Sequence, residues 1–217
     1  MKMLQTTLDA IGLKQPEKMD LLLAIYIGAI IGAELLGSKV FSVFGLLNAS
    51  VAIFAFPITF SINDIVTEVY GKARAVSFAR AALWVLVLLF GYSLLATQLP
   101  AAARFTDDEA YKLIFGKSQR IILASLAAFW ISERLDIAVF SQIRKRLGAK
   151  RLWLRNNASN FIGQFFDTLM FMLLAFYSPG RFWFVISLVI PYWLLKCAAS
   201  VVETPFTYWG VRWLKQK

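Results

Sequence analysis

Six apolar runs, at about 21–40, 42–63, 79–99, 119–141, 159–178 and 182–204, occupy most of this chain, and each is long enough to cross a bilayer. Hydrocarbon offers the backbone no hydrogen-bond partner, so segments of this kind must satisfy their own N–H and C=O groups, which they do as α-helices. The expected fold is therefore all-α: one polytopic integral membrane domain over residues 1–217, a bundle of about six transmembrane helices. With 59% hydrophobic and only 17% charged residues, the chain is too apolar for a soluble domain of 217 residues. Residues 1–20 alternate Lys2, Asp9, Lys14, Glu17, Lys18 and Asp20 and lack the apolar core and small-residue cleavage site of a secretory signal. They read as a cytoplasmic N-terminal segment, with the first span acting as its own insertion signal.

The net charge of +10 invites a nucleic-acid reading, but its placement argues for topology instead. If the N-terminus is cytoplasmic, 15 of the 23 Lys and Arg fall on the inner side, including the cluster from Arg144 to Arg155. The outer side receives 6, and Arg134 and Lys196 lie inside spans. Inverting the protein reverses the excess, so both termini are expected to be cytoplasmic. The basic loop is read as facing anionic lipid, and no nucleic-acid partner is expected.

Inventory excludes several chemistries. There is no His, and one cysteine, Cys197, in an apolar span cannot build a zinc site, a disulfide or a Cys-His nucleophile pair. No phosphate-binding G-x-x-x-x-G-K-[ST] loop is present. No catalytic residue, metal or cofactor is expected. Energy for any transport must come from an ion gradient, the substrate's own gradient or another subunit. The loop from Pro100 to Lys117 is expected to be a solvated connection with at most a short helix.

Polar groups inside the spans carry the functional signal, since a charged side chain at bilayer depth costs about 2.5–3.5 kcal/mol on insertion scales. In the fifth run, Asn157, Asn160, Gln164 and Asp167 fall at steps of three, four and three, which is one helical face. The fourth run carries Glu133, Arg134 and Asp136, with the acids on one side and Arg134 turned about 100° away. The sixth carries Lys196, Ser200 and Glu203 one turn after Pro191. This convergence reads as the wall of a shared polar cavity. Glu34, followed by Ser38 four residues on, is read as interhelical bonding. A further pair, Asp64 and Glu68, lies one turn apart at the end of a run that contains Pro57, which is expected to kink that span and free a carbonyl.

The segments FPITFSINDIVTEVYGKARA at Phe56–Ala75, SERLDIAVF at Ser132–Phe140 and LWLRNNASNFIGQFFDT at Leu152–Thr168, with the Lys196 span, together resemble the queuosine precursor transporter family, also called the vitamin uptake transporter family. The resemblance runs from the first span through the sixth. It implies uptake of 7-cyano-7-deazaguanine or 7-aminomethyl-7-deazaguanine across the bacterial inner membrane, for salvage into tRNA queuosine. Such a base presents a ring N–H beside an exocyclic amine, which one carboxylate accepts as two parallel bonds, and a carbonyl that takes an amide or ammonium donor. Asp167 is expected to be the main acceptor, Gln164 and Asn160 the orienting donors, and Asp136 or Glu133 a second acceptor. Lys196 is expected to bond the carbonyl or hold an acid, and Asp64 with Glu68 to gate the inner side or take part in proton coupling. Two other classes stay open: a substrate-binding membrane subunit of an energy-coupling-factor importer, and an intramembrane enzyme, for which the inventory supplies no nucleophile or metal set.

Overall fold

A computed structural model describes residues 15–43, 47–147, 152–180 and 182–215, with side chains placed for 17–42, 49–131, 162–180, 182–198 and 205–215. The described chain is almost entirely helical: α1 (Gln15–Leu36), α2 (Phe56–Tyr70), α3 (Lys72–Gln98), α4 (Asp108–Leu147), α5 (Leu152–Phe176) and α6 (Phe182–Lys215). Four segments in it are long and apolar enough to cross a membrane: Glu17–Leu36, Val51–Tyr70, Lys72–Gln98 and Asp108–Ile131. Two shorter apolar stretches, Ile162–Phe176 and Phe182–Ala198, belong to α5 and α6.

The first departure from a simple bundle lies between α1 and α2. The sequence suggests spans at 21–40 and 42–63; instead α1 stops at Leu36, and an antiparallel hairpin follows. Its strands β1 (Val40–Val43) and β2 (Leu47–Ser50) pair Val40 with Ser50 and Val43 with Leu47. Gly37 permits the turn, because a Cβ there would lie 2.3 Å from Ala33 O and 3.3 Å from Ala52 Cβ. Ser50 then ties the two ends together: its hydroxyl donates to Gly37 O at 2.6 Å and accepts from Ala52 N at 3.1 Å, capping the 3₁₀ turn Val51–Phe54. Pro57 consequently sits in the first turn of α2, where its missing N–H is no loss, and does not kink a continuous span.

Gly71, at φ +85°, ends α2 and is followed at once by α3. The connection from Pro100 onward is shorter than the sequence suggests, since α4 begins at Asp108 and the stretch up to Lys117 forms its opening turns. Asp108 and Glu109 favour that start through the helix dipole, and Asp108 pairs with Lys112 at 2.6 Å. With 40 residues, α4 is about 60 Å long and so outruns a hydrocarbon core of about 30 Å.

Large apolar side chains crowd the outside. Trp84, Leu88, Tyr92 and Leu95 form an exposed stripe at helical spacing on α3, and Trp183 is 80% exposed. A soluble protein does not present such a surface, whereas lipid covers it at no cost. Inside, Met19, Leu22, Tyr26, Ile65, Val66, Phe78 and Leu214 form a core where α1, α2, α3 and α6 meet. Close approach there depends on Gly210, whose Cβ would lie 2.2 Å from Ile65 Cδ1. Polar side chains stitch the helices elsewhere. Gln119 Nε2 donates to Ser93 O at 3.0 Å and Thr97 Oγ1 at 2.9 Å, and Ser118 Oγ donates to Leu35 O at 3.0 Å. Arg120 donates to Leu174 O and Tyr177 O, neutralising the carbonyl end of α5.

Candidate substrate site

Helices α1, α3, α4, α5 and α6 enclose a cavity of about 220 Å³, together with the segment that leads into α2. Its walls are mostly rings and small aliphatics, among them Tyr26, Phe56, Phe129 and Phe171, while its polar lining is Glu34, Ser125, Asp167, Tyr192 and Lys196. That combination of apolar wall and few converging polar groups is the usual make-up of a small-molecule site, at a size that suits a single planar ring system.

The centre of the polar wall is an ion pair across α5 and α6. Lys196 Nζ donates to Asp167 Oδ2 at 3.1 Å. The ammonium also sits 5.0 Å above the Phe56 ring and 6.0 Å from the Tyr192 ring, so its charge is held by one carboxylate and two π faces. The two partners differ in access: 8% of the Lys196 side chain is exposed against 36% for Asp167, so the carboxylate is the accessible member. Packing fixes the pair. Met172, Val185, Val189 and Tyr192 form a buried cluster between α5 and α6, and Thr168, fully buried, bonds back to Gln164 O at 2.8 Å.

Glu34 enters from α1. It is 7% exposed, lines the cavity beside Ser125, and its Oε2 is buried without a hydrogen-bond partner. The Tyr192 hydroxyl lies close to Ser50 but likewise lacks hydrogen-bond geometry. Ser125 of α4 is the neighbour that the interhelical reading expects, but that contact leaves Oε2 over, and Glu34 also lines the cavity. The signal in the sequence was an acid in the middle of an apolar run, which by itself is a functional hypothesis.

Of the residues expected from sequence, Asp167 and Lys196 come together here. Gln164 is not among the described lining residues; its Oε1 faces Cys197 Sγ at 3.9 Å. Asp64 and Glu68 lie apart from the cavity, on the exposed face of α2, because Ser61, Ile62, Ile65 and Val66 occupy the buried face. The side chains of Glu133, Asp136 and Asn160 fall outside the described residues. Among the described residues no group of three His, Cys, Asp or Glu is placed to hold a metal. A second hollow of about 390 Å³ between α1, α2 and α6 is lined mainly by apolar residues such as Ile25, Ile58 and Phe206, with no titratable side chain to hold a charged ligand.

Comparison with known proteins places the chain among transporters by overall similarity. A family model described as "Putative vitamin uptake transporter" matches residues 50–210. The "Probable queuosine precursor transporter" of Bacillus subtilis is 34% identical over 195 residues, covering 86% of this chain and 82% of that protein. The "Queuosine precursor transporter" of Escherichia coli is 31% identical over 143 residues, covering 63% of this chain and 61% of that protein. No solved structure matches.

Proposed function

The chain belongs to the vitamin uptake transporter family, and on that basis we propose that it imports a queuosine precursor of the 7-deazaguanine class across the bacterial inner membrane. The observation that carries the reading is the Asp167–Lys196 pair in a ring-lined cavity. A deazaguanine presents donors and an acceptor side by side on one edge. Asp167 accepts the ring N–H and exocyclic amine, while Lys196 swings from its 3.1 Å contact to donate to the carbonyl. Opposite charges already in register on neighbouring helices match that donor and acceptor pattern, and the surrounding aromatic rings offer faces for the base.

Asn160, Glu133 and Asp136 extend the site toward the inner side in this reading. Cavity-lining positions 121, 125 and 128 on α4 continue by helical period to 132 and 136, and position 160 lies about two turns before Asp167 on α5. Gln164 turns from Cys197 to donate to the base in this reading, and Asp64 with Glu68 forms a polar inner gate on α2. The bundle crosses the membrane six times with both termini cytoplasmic, as the charge bias favours. In a Cys197→Ala background, an impermeant thiol reagent applied outside is expected to label Thr106→Cys and to spare Ala149→Cys; the reverse pattern inverts the topology.

The functional reading is tested in cells that cannot synthesise 7-deazaguanines. Expression of this chain is expected to confer saturable uptake of the labelled base and to restore queuosine in tRNA. If tRNA remains unmodified when the chain is abundant in the membrane and the base is supplied, the proposed substrate is wrong.

A further inference from the structure

Among the described residues the acidic and basic side chains lining the cavity are Glu34, Asp167 and Lys196, and Lys196 is paired with Asp167. Glu34 is left with the Ser125 hydroxyl beside it, 7% exposure and an Oε2 that has no partner. Buried charges in proteins are paired or hydrogen-bonded, and each buried polar atom that is not calls for an explanation. The Ser125 hydroxyl of α4 leaves Oε2 unsatisfied, and no suitable metal cluster is present among the described residues. A ligand that brings a cation or a second set of donors supplies that explanation.

We infer that Glu34 is a specificity-determining residue, which accepts from a positively charged substituent on the substrate while Asp167 and Lys196 hold the base edge, so that the site prefers a cationic base to a neutral one. This rests on the functional reading above, and it selects within that substrate class. The aminomethyl base carries an ammonium that would pair with Glu34, favouring its carboxylate form and satisfying Oε2. The cyano base is neutral and its nitrile only accepts, so it meets a Glu34 carboxylate acceptor to acceptor and can pair with Glu34 only when the acid is protonated. Placement supports the division of labour: Glu34 projects from α1, whereas the ion pair belongs to α5 and α6, so the two acceptors reach the cavity from separate helices. The Tyr192 hydroxyl, also lining the cavity and without a partner, is positioned to share the ammonium.

The test is competition of the aminomethyl and cyano bases for uptake of a labelled deazaguanine by the full chain in membranes. The wild-type chain is expected to favour the aminomethyl base by about tenfold or more. Glu34→Gln, nearly the same size, is expected to lose most of that preference by weakening the aminomethyl base alone, and Glu34→Asp to retain part of it. Equal affinity of the wild-type chain for the two bases, or a preference for the cyano base, overturns the inference whether or not the variants fold. So does an equal loss of both bases in Glu34→Gln at normal abundance, which would make Glu34 a structural or ring-edge residue. Uptake of neither base by the wild-type chain is a different outcome, and it removes the functional reading itself.

Discussion

Asp167→Asn is expected to bind the deazaguanine about ten- to a hundredfold more weakly than the wild-type chain at equal membrane abundance. The substitution preserves size and turns one of the two acceptor oxygens into a donor that faces a donor on the base. Losing a hydrogen bond to a charged group costs about 1.5–3 kcal/mol, and 1.4 kcal/mol is a factor of ten. The measurement is saturable binding to purified protein, because uptake alone confounds affinity with turnover. Unchanged affinity would move the acceptor to another helix, with Asp136 on α4 the next candidate.

The second large effect is on stability, and it follows from the unequal burial of the ion pair. Asp167→Leu strands Lys196, whose side chain is only 8% exposed, against an apolar neighbour. Breaking one side of a buried pair costs about 3–5 kcal/mol, whereas replacing both sides by apolar groups is often neutral or better. Asp167→Leu is therefore expected to lower the thermal midpoint of the solubilised protein strongly, and Asp167→Leu with Lys196→Met to recover most of it without recovering binding. Lys196→Met alone is expected to be milder for folding, since the 36% exposure of Asp167 lets water reach the orphaned carboxylate. Equal thermal midpoints for Asp167→Leu and the double variant would mean that the Phe56 and Tyr192 rings hold the ammonium unaided.

How much of this was readable beforehand depends on which physical property each feature expresses. Hydropathy measures transfer into hydrocarbon, so it found the helical segments; it says little about backbone conformation, so it merged the β1–β2 hairpin and the 3₁₀ turn into two continuous spans. Pro57 looks alike in sequence whether it kinks a helix or starts one, and only the hairpin upstream decides. Periodicity placed Asp167 on a polar face, and the structure sets Lys196 against it from another helix. The same period grouped Gln164 with Asp167, yet Gln164 turns to Cys197 because faces spaced by three residues diverge slightly around the helix. Glu34 is legible in α1 only as a buried acid, because whether it has all its partners is a property of the neighbouring helices, here Ser125 of α4.

Passage of a 7-deazaguanine through the cavity built around Asp167 and Lys196, as proposed, is tested most directly by transport with the purified protein in liposomes. Saturable entry of labelled base is predicted for the wild-type chain, strongly reduced for Asp167→Asn at equal incorporation, with no other subunit added. Entry that fails with the chain alone and appears only when an ATPase is supplied would favour the energy-coupling-factor subunit over a self-sufficient importer. Entry unaffected by Asp167→Asn would contradict the site.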